Sequence, residues 1–282
     1  MTDQPLEVRR TAKLFIGGKF PRSESARSFE VLDRHGNFLA NASLASRKDA
    51  RDAVVAARAA FAGWSGATAY NRGQVIYRVA EIMQGRREQF IDELSAWIDK
   101  SAAETEVDQA IDRLVWFAGW ADKLAMVTGS NNPVAGPYFN FSVPEPTGVV
   151  AGLAPQNNAL LDLVEMIASA VISGNTVVVV ASFEVPLPSV SLGEVIATSD
   201  VPGGVINILT GDAKEIAPWL ASHMDVNGLD LSGITDAERA QSLESDAAEN
   251  LKRVLRPGSG LSGLARIKCW LETKTVWHPR GM

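Results

Sequence analysis

The chain of 282 residues has one cysteine, three histidines and no long apolar run, and each shortage removes a class of function. A single thiol, Cys269, forbids an internal disulfide. His35, His223 and His278 stand far apart, so no cluster with metal-ligand spacing forms and metal chemistry is set aside. Nothing approaches the roughly 18 apolar residues that a membrane span needs. The opening segment, Met1 to Arg10, is polar and has no signal-peptide stretch, so the chain reads as cytoplasmic. Positive charge is short as well. With 27 Lys+Arg against 33 Asp+Glu the net charge is -6, which gives no electrostatic reason to bind nucleic acid or an anionic membrane. What is present, 46% hydrophobic and 21% charged residues, is the composition of a globular protein with a sizeable core.

The N-terminal part reads as helical. Ser46 followed by Asp49 is a helix-start signature, and Ala50, Val54, Ala57, Phe61 and Trp64 recur at intervals of three and four, which puts them on one stripe. Val75, Val79 and Met83 form a second stripe. A third helical stretch, from about 105 to 127, carries Val107, Ile111, Leu114 and Ala118, with Trp116 and Trp120 read as packing residues. From Gly148 the pattern changes to short apolar runs at 149–153, 177–180, 205–209 and 226–231, separated by helix-length segments at 159–173, 187–199 and 213–223. Runs apolar on both faces that alternate with helices predict a parallel sheet covered on both sides, an open doubly wound α/β fold of Rossmann-like type. Two pieces stand outside that alternation. Residues 136–143 put Phe139, Phe141 and Val143 on one face, and residues 267–277 form a β-prone run; both predict antiparallel strands whose aromatic residues need cover.

Gly258-Ser259-Gly260-Leu261-Ser262-Gly263 satisfies the spacing of the dinucleotide fingerprint. That motif works only between a strand and a helix whose N-terminus receives the pyrophosphate. The residues after Gly263 read as strand, so the segment is expected to be a flexible linker.

Five segments carry more information in their order than any one does alone: Glu145-Pro146-Thr147-Gly148-Val149-Val150, Pro155-Gln156-Asn157-Asn158, Ser173-Gly174-Asn175-Thr176-Val177-Val178-Val179, the run 201–211 beginning Val201-Pro202-Gly203-Gly204, and Asn250-Leu251-Lys252-Arg253-Val254. Together they resemble the aldehyde dehydrogenase superfamily. The likeness extends through Phe117-Ala118-Gly119-Trp120 and resumes at Leu271-Glu272-Thr273-Lys274-Thr275-Val276, which is similar to the family's last strand.

The resemblance implies a nucleotide-binding domain from residues 1–130 and 145–255 and a β-flap from 131–144 and 264–282. The short linker 256–263 then stands where family members insert their catalytic domain. With that domain would go the nucleophilic thiol and the Glu general base, and Cys269, placed in the flap, does not replace the thiol. The cofactor positions depart from the family's pattern too. Val180 and Phe183 replace the Lys and Glu that hold the adenosine ribose, and Ile234 replaces a Ser at the helix start below the pyrophosphate. Asn157 matches the asparagine of the family's oxyanion hole and is read as vestigial or as a backbone cap. The implied protein is a catalytically inactive structural or regulatory subunit, like the non-catalytic C-terminal half of two-domain aldehyde dehydrogenases. It is expected to bind no cofactor, or NAD only weakly. Phe139, Phe141, Trp270 and Trp277 are expected to form its interface with a complete aldehyde dehydrogenase or a second copy. Two alternatives stay open: an NAD-dependent aldehyde oxidoreductase component that borrows its nucleophile from a partner, and a module that binds another nucleotide or metabolite.

Overall fold

The structure, a computed structural model, describes residues 10–281. Apart from Arg10, the polar opening segment lies outside the described residues. The described residues begin with a small sheet that the helical reading of the N-terminal part did not anticipate. Its strands are β1 (Thr11–Ala12), β2 (Ser28–Leu32) and β3 (Phe38–Ser43), in the order β1-β3-β2. The strands are short and mix polar with apolar residues, so the apolar alternation that would mark them is faint.

Five helices follow: α1 (Arg47–Gly66), α2 (Ala69–Gly85), α3 (Arg87–Ser95), α4 (Lys100–Ala118) and α5 (Leu124–Thr128). The first begins as the sequence predicts. The Ser46 hydroxyl accepts from the Asp49 N–H, and the Asp49 carboxylate accepts from the Ser46 N–H at 2.8 Å. Ala50, Val54, Ala57 and Trp64 are buried, as are Val79, Met83, Val107, Ile111 and Leu114, so these stripes face the core.

The core surrounds a five-stranded parallel sheet made of β6 (Val149–Leu153), β7 (Thr176–Val180), β8 (Ile206–Leu209), β9 (Gly228–Asp230) and β10 (Arg253–Leu255), after a flap formed by β4 (Ser130–Asn132) and β5 (Tyr138–Pro146). Its order is β10-β9-β6-β7-β8, with α6 (Leu161–Val171), α7 (Leu187–Ala197), α8 (Ala213–Ser222) and α9 (Ala237–Ala248) between the strands. Every residue of β6, β7, β8 and β9 is buried, as strands covered on both faces must be. The chain runs outward from β6 to β8, then returns to β9 on the other side of β6. The point of reversal, between the C-terminal ends of β6 and β9, is where open α/β sheets hold ligands.

Residues 256–270 alone connect β10 to the last strand, β11 (Leu271–Pro279), which pairs antiparallel with β5. Here the strand reading of 267–277 is corrected. Gly263–Cys269 is a helix, α10, because Leu264, Ile267 and Trp270 recur every three residues and turn toward the core. The glycine-rich segment therefore does lie between a strand and a helix, although that helix has only seven residues.

Trp270 is corrected with it. It is not exposed on the flap but 1% accessible, because the turn that ends α10 sets its indole on β9 at Gly228. A Cβ at position 228 would stand 2.9 Å from the ring, so only glycine leaves that space. The other flap aromatics divide between two faces. Phe139 and Phe141 do share a face, as the alternation predicts, and Val276 sits opposite Phe141 on it. That face points outward, with Phe139 40% exposed, whereas Asn140, at 2%, and Ser142 are buried. The Asn132 side-chain amide donates to the side-chain Oδ1 of Asn140 at 2.6 Å and to the Ser142 hydroxyl at 2.9 Å, while Asn140 Nδ2 is buried without a partner among the described residues. Trp277 lies opposite Asn140, hence on the other side from Phe139, where its ring meets Tyr138 edge-on at 5.8 Å. No helix among the described residues is long and apolar enough to cross a membrane.

Candidate functional site

The cleft at the sheet's point of reversal is a cavity of about 460 Å³, and its lining includes Gln156, Phe183, Lys214, Gly233, Ile234 and Arg239. It is built by three turns, one after each of β6, β7 and β9, with the start of α8 after β8 as a fourth wall that supplies Asp212 and Lys214. Gly233 brings the third against the first: its N–H donates to the Leu153 carbonyl at 3.1 Å, and a Cβ there would lie 2.3 Å from that oxygen. Phe183 and Ile234 line the cleft. Val180 does not. Its side chain is buried at the end of β7 among Leu153, Leu209 and Leu231, beneath the cleft floor.

The turns also consume their own polar groups. After β7, the amides of Phe183 and Glu184 and the Ser182 hydroxyl all donate to one oxygen, Oε1 of Gln156, at 3.0, 3.2 and 3.0 Å. The Phe183 ring is stacked on Phe29 of β2, with centroids 4.6 Å apart and planes inclined by 22°. After β9, the Asp236 carboxylate caps α9 by accepting from the amides of Glu238 at 3.0 Å and Arg239 at 3.3 Å. Asp212 accepts in the same way from the Lys214 amide at the start of α8. Helix starts of this kind attract anions, and both here already hold a carboxylate of the chain.

The positions that the resemblance assigns to a dinucleotide carry apolar side chains, although Lys214, Thr235 and Arg239 supply polar atoms elsewhere in the lining. Neither Val180 nor Phe183 has a side-chain polar atom for the ribose hydroxyls, and Ile234 offers none to a phosphate.

Asn157 lies apart, exposed on the rim of a neighbouring cavity of about 550 Å³ that includes Trp97, Glu106 and Val185 in its lining. The backbone capping in this stretch comes from other residues. Buried Glu106 accepts from the amides of Leu160 at 2.9 Å and Leu161 at 3.2 Å, and so caps α6.

A third cavity, about 300 Å³, lies under the glycine-rich segment, with Asp162, Glu165, Ser232 and Arg266 in its lining. Arg266 and Asp230 form an ion pair that is almost wholly buried, and Asp230 also accepts from the Ser232 hydroxyl at 2.6 Å. Burial pushes the Asp162 carboxyl up to about 6, helped by the charges of Glu165 and Glu106 and opposed by Arg266.

Cys269, at the end of α10 rather than in the flap strand, is half-buried. Its Sγ donates to the Ala265 carbonyl, and burial raises the thiol above its ordinary value. A thiol held that way is a poor nucleophile. No group of three or more His, Cys, Asp or Glu side chains among the described residues could hold a metal ion.

Sequence reasoning did not find Gln156, Asp236, Glu106 or Asp162. A signal existed for Asp236: Ala240, Leu243 and Ala247 recur at helical spacing behind it, the same pattern that located α1. None existed for Gln156 or Glu106, whose partners lie 26 to 28 and 54 to 55 residues away.

Comparison with known proteins agrees with this architecture. Residues 20–263 match the aldehyde dehydrogenase family. Cytosolic 10-formyltetrahydrofolate dehydrogenase of Homo sapiens is 33% identical over 267 residues, which span 91% of this chain and 29% of that protein. Retinal dehydrogenase 2 of Gallus gallus is 33% identical over 256 residues, 88% of this chain and 48% of the relative. The crystal structure of betaine aldehyde dehydrogenase from Staphylococcus aureus in complex with NAD+ superposes with a TM-score of 0.81 at 24% identity, over 86% of this chain and 48% of that one. The chain thus spans half or less of the length of these relatives. By sequence match and by fold it belongs to the aldehyde dehydrogenase family.

Proposed function

We propose that this chain is a catalytically inactive member of the family that serves as a structural or regulatory subunit and docks through its flap. The observation that carries this reading is the internal saturation of the cleft. Gln156 holds the amides after β7, Asp236 holds those at the start of α9, and Val180 is buried beneath the cleft floor with no polar atom to offer. Supporting it, residues 256–270 lead from β10 directly to β11, and Cys269 lies in a helix end that disfavours the thiolate. A pyrophosphate would have to displace a carboxylate already bonded to the amides it needs, and ribose hydroxyls left unpaired disfavour binding by about 1–3 kcal/mol each.

The test is to assay NAD-dependent aldehyde oxidation and ester hydrolysis, with a calorimetric NAD titration beside them. The expected result is no turnover above a blank and weak or absent NAD binding. Turnover that persists in Cys269→Ala, or saturable binding at low micromolar NAD, overturns the reading.

One observation favours a second reading, a module for another metabolite. Arg239 Nη2 is buried at the cleft without a hydrogen-bond partner among the described residues. A thermal-shift screen of nucleotides and organic acids separates the two, because a ligand of the native state raises the melting temperature.

A further inference from the structure

β11 forms one border of the flap sheet and bonds to β5 on one side only. The pattern on that side fixes what the other side offers. The Thr147 N–H donates to the Trp270 carbonyl at 3.2 Å, and the Arg280 N–H donates to the Pro137 carbonyl at 2.8 Å. Hydrogen-bonded positions alternate along an antiparallel pair. The even-numbered residues of β11 therefore spend their backbone groups on β5, and Leu271, Thr273, Thr275 and Trp277 point theirs outward.

The opposite border of the sheet is blunted. β4 pairs with Asn140, Phe141 and Ser142 alone. Beyond it stand Pro144 and Pro146, with no N–H to offer. An open edge is commonly guarded by charge. Here the charges of β11 are exposed but already paired within the chain, Lys274 with Glu145 at 2.9 Å and Glu272 with Arg253. The stretch Leu271 to Trp277 is thus an unbroken edge whose charges are already paired within the chain, beside the outward face of Phe139, Phe141 and Val276.

We propose that this edge pairs with the same edge of a second copy of the chain, antiparallel about a two-fold axis at Val276, which joins two three-stranded sheets into one. The inference rests on the reading of the chain as a docking subunit and names its partner. The register follows from self-complementarity. Centred on Val276, the pairing sets Val276 against Val276 of the second copy and fuses the two Phe141–Val276 strips into one apolar band. It places Lys274 opposite His278 and Glu272 opposite Arg280 of the second copy. Centring on Lys274 would oppose like charges, which is destabilising. Centring on Thr275 would put Val276 against Lys274 and split the band. Thr275 and Trp277 supply facing outward groups in the chosen register, and Pro279 limits the ladder where its N–H is missing.

The test uses the full chain. Sedimentation across the micromolar range is expected to give twice the monomer mass. Thr275→Pro removes one outward N–H and crowds the edge while leaving the backbone bonds to β5 intact and losing only the hydroxyl contact with Ser142 at 2.9 Å, so it is expected to return the monomer mass with an unchanged circular dichroism spectrum. In a Cys269→Ala background, Val276→Cys is expected to yield a disulfide-linked dimer on mild oxidation. Residues opposed at a non-hydrogen-bonded site have Cα atoms about 4.5 Å apart, within disulfide reach. Lys274→Cys is expected not to cross-link. A wild-type monomer, a dimer indifferent to Thr275→Pro, or cross-linking through Lys274→Cys in place of Val276→Cys overturns the proposal. A monomer that binds a complete aldehyde dehydrogenase removes the second copy as partner and leaves the subunit reading standing. Catalytic turnover by the dimer removes that reading and leaves the pairing.

Discussion

The cleft and the flap carry the same raw material, backbone amides and apolar rings at the end of a strand, and treat it in opposite ways. At the cleft the amides after β7 and at the start of α9 are taken by Gln156 and Asp236, and Phe183 lies against Phe29. At the flap the odd-numbered amides of β11 face outward, and Phe139 and Phe141 lie over a buried polar layer of Asn140 and Ser142. A donor that already has an acceptor gains little from a ligand, whereas an open edge gains from any strand that completes it. The difference teaches where to look for this protein's interactions. The cleft, at the sheet's point of reversal where open α/β sheets hold ligands, is the region whose turn amides are already taken.

Trp270 joins the two regions, since it closes α10, seats on β9 and starts β11, so it gives the largest expected effect. Its carbonyl accepts from the side-chain amide of Asn175 at 2.9 Å and from the Thr147 N–H, and its ring fills the space over Gly228. Trp270→Ala empties a fully buried aromatic site and is expected to lower stability by about 3–5 kcal/mol in a urea titration. Trp277→Ala, at a ring 58% exposed, is expected to stay within about 0.5 kcal/mol of wild type. Equal losses at the two positions would mean that the flap is as tightly packed as the core, and the comparison would fail.

A second, intermediate effect concerns pH. Asp162 has a folded-state pKa near 6, raised chiefly by burial, against about 4 in an unfolded chain. Between those values the folded protein holds a proton that the unfolded chain has lost. Stability from this group is therefore full below about pH 4 and declines as the pH rises toward about 6. Asp162→Asn is expected to flatten that part of the profile and to be more stable than wild type above it, as read by thermal melts at several pH values. A profile that the substitution does not change would show Asp162 to be solvated, and the cavity under the glycine-rich segment to be ordinary surface.

Much of the fold is legible in the sequence because burial on both sides leaves unbroken apolar runs: β6, β7 and β8 fall where the pattern puts them, and α6, α7 and α8 fill the gaps. Polar or locally ambiguous elements were not legible. β2 and β3 mix Glu30, Asn41 and Ser43 with apolar residues, so neither period dominates. In Gly263–Cys269 a two-residue alternation of Ile267, Cys269 and Leu271 competes with a three-residue spacing of Leu264, Ile267 and Trp270. Packing on Gly228 decides it, and a local window does not contain Gly228. The same holds at the cleft. The loss of polar groups at Val180, Phe183 and Ile234 can be read along the chain, but their replacement by Gln156 and Asp236 cannot, since only the fold shows which amide each side chain reaches.

The smallest expected effect tests the cleft half of the comparison directly. Asp236→Ala removes the carboxylate that accepts from the Glu238 and Arg239 amides and leaves α9 otherwise as it is. Loss of such a cap costs about 1 kcal/mol, which urea unfolding resolves. The same change uncovers two N–H groups at the positive end of a helix, in a cleft where Lys214 and Arg239 already stand. If internal saturation is what keeps the cleft from binding anions, inorganic pyrophosphate should bind the variant measurably tighter than wild type and recover part of the lost stability. Asp212→Ala, at the start of α8 in the same cleft, should behave likewise, with its single amide bond giving the weaker response. If the caps can be removed at the expected cost and pyrophosphate still does not bind, shape rather than occupied donors closes the cleft. The contrast with the flap would then rest on geometry, with Phe183 and Ile234 as the groups to change next.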